Sequence, residues 1–390
     1  MNCIFLFSAL SWGQTWQLSS TMTATLSDGQ LTVETTQDAE EMPNYQGSNL
    51  TPWGKKNTYV QSVIIKEGIS KIGNRAFADL LSLAYVEIPS SVTAIGYAGF
   101  GHCPNLVSVS LPNTLTTIGE SAFQSCTGLT SITIPNSVTA IGIQAFRNCK
   151  NLNSVVLPNS ITTIEAWFNG CESLSSIAIP NSVTAIGANA FEGMGLTSIT
   201  IPNSITSVGS QAFRNCKSLT SVVLPNSITT IEWGTFSGCT RLTSIDIPNS
   251  VTKIGLNTFD LLTRSAIGPN HEGAFENCNG LTSIAIPNSV TIIGLRTFKN
   301  CTNLTSIFIP NSVNNLGGSL FSGCIALKNL TVNWPLPLPV GKRLGSNAVF
   351  YKIKISGVTV HVPIGTEELY KADKFWKDFR IVASETNIEN

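Results

Sequence analysis

Nine cysteines recur at one position of a repeating pattern: Cys103, Cys126, Cys149, Cys171, Cys216, Cys239, Cys278, Cys301 and Cys324. Thiolates in register could ligate a metal or pair as a disulfide ladder. Neighbouring strands of a stacked chain lie about 4.8 Å apart, a distance a disulfide tolerates. Two observations weigh against both. The Cα–Cβ bonds of stacked copies should run parallel rather than converge, and the same position holds Leu80, Met194 and Leu262 in other copies. A position that accepts leucine and methionine is apolar core, where a free cysteine behaves as a small hydrophobe.

Other reactive groups are sparse. His102, His271 and His361 lie far apart, and none has a second His or Cys at metal-ligand spacing. "PVGKRLGS" at Pro339 to Ser346 lacks the spacing of a phosphate-binding loop, and no Gly-x-Ser-x-Gly elbow occurs. His271 and Glu272 read as solvated loop. Glu165 and Glu232 replace a recurrent glycine and come with Trp167 and Trp233. These pairs could be contact points on the outer surface, or one variation copied by duplication, and the second is preferred. No catalytic residue, cofactor-binding residue or metal site is assigned, and no cofactor is expected, so the chain reads as a non-enzyme.

The elements that would position any site come from the repeat. Copies start at Val60, Leu83, Leu106, Leu129, Leu152, Leu174, Leu196, Leu219, Leu242, Leu281 and Leu304, with a partial copy at Leu327. Most intervals are 23 residues, as from Leu129 to Leu152. The period predicts a leucine-rich repeat solenoid, an α/β-type repeat that is mostly β, with about eleven coils and a parallel sheet on the concave face. In Leu129–Ile134, residues 129, 132 and 134 should point inward and Ser131 and Thr133 outward. Pro135 ends the strand, Asn136 and Ser137 turn the chain through local side-chain bonds, and Gly142 allows a tight corner. Ala145, Phe146 and Cys149 follow at helix-like spacing, with Phe146 filling the coil. Residues 129–195 and 196–262 match closely, which indicates duplication of a three-coil segment.

Four regions follow. Residues 1–13 resemble the end of a secretory signal, Cys3 to Leu10 being apolar and followed by Ser11-Trp12-Gly13, although no basic residue precedes the run. The alternative is an apolar chain end. Residues 14–59 form an N-terminal β-hairpin cap, with "TATLSDGQLTVE" turning at Asp28-Gly29. Residues 60–326 are the repeats, with an insertion at about 260–275, and residues 327–390 are a C-terminal cap with Thr366 as a helix N-cap. No apolar run is long enough for a transmembrane segment.

Charged residues make up 12% of the 390, and Lys+Arg equals Asp+Glu at 23 each. A zero net charge argues against nucleic acid, which needs clustered positive charge. The surface must then be covered by Ser, Thr and Asn. Outward strand positions supply a candidate concave binding surface: Tyr85, Glu87, Ser108, Ser110, Ser131, Thr133, Ser154, Val156, Ser176, Ser198, Thr200, Ser221, Ser244, Asp246, Ser283, Ser306 and Phe308. About twelve strands would extend this surface for roughly 50 Å. Such a hydroxyl-rich face suits an extended or repetitive ligand held by many weak contacts, or else it merely solvates the sheet.

The repeat "LTSITIPNSVTAIGIQAFRNCKN" resembles the BspA-like class of bacterial leucine-rich repeats. The opening "WQLS…LSDGQLTV…MPNY…PW" and the closing "LTVNWPLPL…VTVHVPIGTEELY…WKDF" are similar to flanking segments of that family, so the resemblance spans nearly all of residues 14–383. It implies a secreted or cell-surface, outer-membrane-associated protein. Family members are regarded as adhesins that bind host matrix proteins such as fibronectin and fibrinogen or mediate cell–cell contact. It implies no catalytic residues. No anchor pattern is read after Val382, and whether the chain is a piece of a longer one is left open. The expected function is protein binding and adhesion through the concave Ser/Thr-rich sheet by a monomer, with a protein ligand. The alternatives are a glycan ligand or a passive structural spacer.

Overall fold

The computed structural model describes residues 13–45, 51–56, 58–256, 272–338 and 349–385. The apolar start before Gly13, most of the insertion with His271, and Pro339 to Ser346 lie outside the described residues. Two compact units divide the chain, Met1–Ser160 and Ile161–Asn390. Each is a β-solenoid whose coils stack in parallel.

The coil that starts at Leu129 shows the plan. Leu129, Ile132 and Ile134 are buried while Thr130, Ser131 and Thr133 are exposed, the period of two expected of a half-buried strand. Ser131–Thr133 pairs in parallel with Ser154–Val156, with Ser131 opposite Ser154. The return leg also pairs: Ala140–Ile141 lies parallel to Thr117–Ile118. Each coil therefore contributes to two ladders rather than to one sheet of about twelve strands. β-branched Val138 and Ile141 favour extended backbone on this leg. The first ladder is itself divided into sheets of five, two, two and four strands. Pro135 closes each strand after about three pairing residues, so the ladder has little length over which to hold register.

The stretch after the corner is a chain of turns, not helix. Gln144 and Asn148 take left-handed φ of 60° and 58°, which interrupts any right-handed helix. Between them the turns close with Ala145 N–H on the Gly142 carbonyl at 3.3 Å and Cys149 N–H on the Phe146 carbonyl at 3.2 Å. The left-handed residues aim alternate peptide groups along the stack. Ser121, Phe123 and Ser125 donate their N–H groups to the carbonyls of Ile143, Ala145 and Arg147 at 3.1, 2.7 and 2.7 Å. The spacing of Ala145, Phe146 and Cys149 mimics a helix because both conformations bury one residue in three or four.

Phenylalanines form a spine inside each unit. In the first, Trp53, Phe77, Phe100, Phe123 and Phe146 stack with centroids 5.3–5.8 Å apart. In the second, Phe191, Phe213, Phe236, Phe275, Phe298 and Phe321 do so at 5.2–5.9 Å. Burial of each ring contributes roughly 1.5–3 kcal/mol, more than the ~1 kcal/mol of an intercoil hydrogen bond. Phe275 stacks directly on Phe236, and Phe236 N–H reaches the Ala274 carbonyl at 2.8 Å. The stack is thus continuous between the coils that flank the insertion.

Some turn side chains bond to a neighbouring coil, whereas the Oγ atoms of Ser137, Ser182, Ser204 and Ser250 are buried with no partner among the described residues. Ser160 Oγ donates to the Val138 carbonyl, Ser312 Oγ to the Val290 carbonyl, and Asn159 N–H to Asn136 Oδ1.

At the N-terminal end, Met22–Ser27 and Gln30–Thr35 form the hairpin, with Asp28 and Gly29 at φ 49° and 79°. Two positive φ values in succession are what a two-residue hairpin turn demands. Gln14–Gln17 adds an outer antiparallel strand, and Gln30–Thr35 pairs in parallel with the strand Ser62–Ile65. Toward the other end the coil pattern continues past Leu327. Asn329–Val332 pairs with Ser306–Ile309, and Phe350 stacks 5.4 Å from Phe321. Among the described residues the one α-helix is Glu367–Ala372. Thr366 is its N-cap residue but makes no side-chain cap; its hydroxyl donates instead to the Pro363 carbonyl at 2.7 Å.

Candidate functional site

Hydroxyl groups fall into two classes once the coils are stacked. Several threonines at the start of the strands and on the return leg are occupied by the backbone of the preceding coil. Thr220 Oγ1 donates to the Thr197 carbonyl at 3.0 Å, and Thr116 Oγ1 to the Thr93 carbonyl at 3.0 Å. The outward strand hydroxyls differ. Ser108, Ser110, Ser131, Thr133, Ser154, Ser176, Ser198, Thr200, Ser221, Ser244 and Ser283 are exposed, and their side chains make no hydrogen bond among the described residues. Tyr85, Glu87, Val156 and Asp246 are also exposed, while Ser306 and Phe308 are half-buried.

Register brings particular members together. In the first unit Ser131 faces Ser154 and Thr133 faces Val156. In the second unit Ser198 faces Ser221 and Thr200 faces Val223. The duplication therefore reproduces one four-residue tile, two serines beside a Thr–Val pair, once in each unit. Val156 and Val223 are 53% and 54% exposed, so each tile carries an apolar contact among its hydroxyls. Tyr85 stands opposite Ser62, and Glu87 opposite Ile64. Ser108, Ser110, Ser176, Ser244 and Ser283 lie outside assigned strands.

In each unit the outward columns extend further than the repeat pattern indicates. In the first unit Thr15, Thr25, Thr32, Ile64 and Glu87 line up across five strands. In the second, Phe308, Thr331, His361 and Val382 form one column and Ser306, Asn329, Thr359 and Arg380 the next. His361 Nε2 lies 3.2 Å from Asn329 Oδ1. The alternation in "VTVHV" was the signal for these residues, but they do not share the repeat's motif.

The other groups with chemistry are structural. All nine repeat cysteines are buried, and none is in a disulfide. Their thiols do more than fill space: Cys103, Cys126, Cys149, Cys216 and Cys239 each donate to the carbonyl of a spine aromatic one coil earlier, at 3.1–3.2 Å. Burial pushes the Cys216 and Cys278 thiols up to about 12. Such thiols are poor nucleophiles. No group of three metal-ligating side chains occurs among the described residues.

The two Glu–Trp pairs are not equivalent. Trp167 is 3% exposed and meets Phe168 edge-on at 6.2 Å. Trp233 is half-buried. The single-residue deletion between Ile164 and Phe168 moves Trp167 into the alanine position of the turn, inside the coil. Neither pair is a matched outer contact. Glu232 is half-buried, and desolvation raises its carboxyl pKa against the pull of Lys253.

Glu272, expected in solvated loop, is part of an ion cluster. Arg214 Nε and Nη2 bind its two carboxylate oxygens at 2.7 Å each, and Nη1 binds Glu192 Oε1 at 2.7 Å. This fork ties the end of the insertion to the coil.

Among solved structures, a leucine-rich repeat protein from Bacteroides ovatus ATCC 8483 is 26% identical, with a TM-score of 0.52 over 89% of this chain and 99% of that one. Another from Eubacterium ventriosum ATCC 27560 is 24% identical, with a TM-score of 0.54 over 86% and 99%. No curated protein matches. The family model for the BspA type leucine rich repeat region matches residues 55–168, 165–264 and 270–363. Those spans take in well over half of the 390 residues, and the chain belongs to the BspA-type leucine-rich repeat family.

Proposed function

We propose that the chain is a non-enzymatic, secreted or cell-surface protein that binds other proteins through the outward faces of its first-ladder strands. The observation that carries this is the duplicated tile: Ser131, Ser154, Thr133 and Val156 recur as Ser198, Ser221, Thr200 and Val223. Its hydroxyls are exposed and unpaired, in contrast to the threonines that serve the stack. Two copies of one weak site add avidity for a repetitive or extended ligand without any new contact type. Secretion is supported by the apolar start and by the family resemblance. No helix among the described residues is long and apolar enough to cross a membrane.

The test is a binding screen of the full chain against extracellular-matrix proteins and a glycan array. Saturable protein binding that falls at least about tenfold in a Ser154→Lys, Ser221→Lys double variant supports the proposal, since a buried unpaired ammonium costs a contact well over 1.4 kcal/mol. Glycan binding without protein binding, or protein binding unchanged by both substitutions, overturns it.

A further inference from the structure

The last turn ladder of the second unit ends in an open cavity. Phe350, Tyr351, Lys352 and Ile353 occupy the positions that Phe321, Ser322, Gly323 and Cys324 hold one coil earlier: Lys352 has the left-handed φ of 66°, and Ile353 N–H closes on the Phe350 carbonyl at 3.0 Å. In the preceding coil, Phe321 and Gly323 donate N–H groups to the carbonyls of Val349 and Tyr351 at 2.9 Å each. The equivalent donors, Phe350 N–H and Lys352 N–H, have no acceptor among the described residues. They belong to the far edge of the ladder, the side on which Phe375 and Phe379 pack against Phe350 at 6.0 and 5.1 Å. There a cavity of about 270 Å³ opens between residues 350–355 and 374–379. Its apolar wall is made by Phe350, Phe375, Phe379 and Ile355, and its charged lining by Lys352, Lys374 and Asp378. Neither lysine is in an ion pair among the described residues.

We propose that this cavity binds a small organic acid, a carboxylate on an aromatic-sized apolar body. Two lysines against one aspartate favour an anion, and two N–H groups without an acceptor among the described residues suit its oxygens. The aromatic wall takes the apolar body. The volume, near the lower limit for small-molecule pockets, excludes a folded partner.

Trp376 lies 5.0 Å from Phe375 and 5.7 Å from Phe379, so its fluorescence can report occupancy. The full chain is titrated with 3-phenylpropionate and, in parallel, with 3-phenylpropionamide. Saturable binding of the acid, at least about tenfold tighter than the amide and weakened by salt, is expected. A Lys352→Gly, Lys374→Ala double variant keeps the left-handed backbone and should bring the acid down to the affinity of the amide. Equal binding of acid and amide, no saturable binding, or acid binding unchanged in the double variant overturns the proposal.

Discussion

Cys126 Sγ donates to the Phe100 carbonyl of the preceding coil at 3.1 Å, so the thiol and the aromatic spine are one device. The same contact joins Cys301 to Phe275 and Cys324 to Phe298. Cys126→Ala should lower stability by about 1–2 kcal/mol, from a small void and an unsatisfied carbonyl. Denaturant unfolding checks it.

The thiols also set an alkaline limit. Those of Cys216, Cys278 and Cys324 stand at about 12 against an ordinary 9.0, chiefly through burial. A raised folded pKa favours the neutral form in the folded chain. The associated stability is whole below pH 9 and is lost as pH rises from there through about 12. Thermal unfolding between pH 8 and 11 should show a falling midpoint. Mass mapping at pH 8 should find these cysteines unlabelled by a thiol reagent until denaturant is added. Equal labelling with and without denaturant refutes the assignment.

Trp167 and Trp233 descend from one duplicated segment but now differ in burial. Trp167→Ala empties a core position and should cost about 3–5 kcal/mol. Trp233→Ala, at a half-buried site, should cost less than half as much. Comparing the two midpoints in denaturant tests whether the deletion before Phe168 inverted one ring.

The coil was legible because period and apolar positions are properties of sequence. Leu129, Ile132 and Phe146 had to be inside. The turns around Gln144 and Asn148 were not legible, since Ala145, Phe146 and Cys149 fit a helix equally well and only the left-handed φ values separate the two. The intercoil bonds of Ser160 and Cys126 were missed for a related reason: their acceptors lie one coil away, and a one-coil pattern does not name them. Outward residues such as Ser131 and Ser154 followed from alternation. Their pairing into a repeated tile required the register, and Asn329 and His361 required knowing that the ladder continues.

Arg214 clamps the end of the insertion through Glu272 and braces it on Glu192. Arg214→Ala should destabilise the second unit by about 2 kcal/mol, the scale of a partly buried charged hydrogen bond. The Glu272 carboxyl is held below its ordinary 4.5: desolvation raises it, but hydrogen bonds from Arg214 and Ser237, with the charges of Arg214 and Lys299, together outweigh that. A depressed carboxylate stabilises above pH 4.5, and the contribution is lost as pH falls through the lower folded value. The unfolding midpoint of the parent chain should therefore fall in acid below pH 4.5, and that of the Arg214→Ala variant should fall less over the same range.

Gly142 tests how closely the corners stack. A Cβ placed there would lie 2.2 Å from the Glu120 nitrogen and 2.5 Å from its Cα, both backbone atoms that cannot rotate away. Its φ is not left-handed, so the requirement is one of space rather than of backbone conformation. Glu165 shows the exception that fits the same rule: its carboxylate lies over Gly187, where a Cβ would come within 2.3 Å of Oε2. At that corner a longer side chain is present and the coil after it carries a glycine. Gly142→Ala should cost about 2–3 kcal/mol as the coils are forced apart. Gly357→Ala, where nothing lies within 4 Å, should shift stability by less than about 0.5 kcal/mol. Equal effects of the two substitutions in thermal unfolding would show that the corner column does not set the coil spacing.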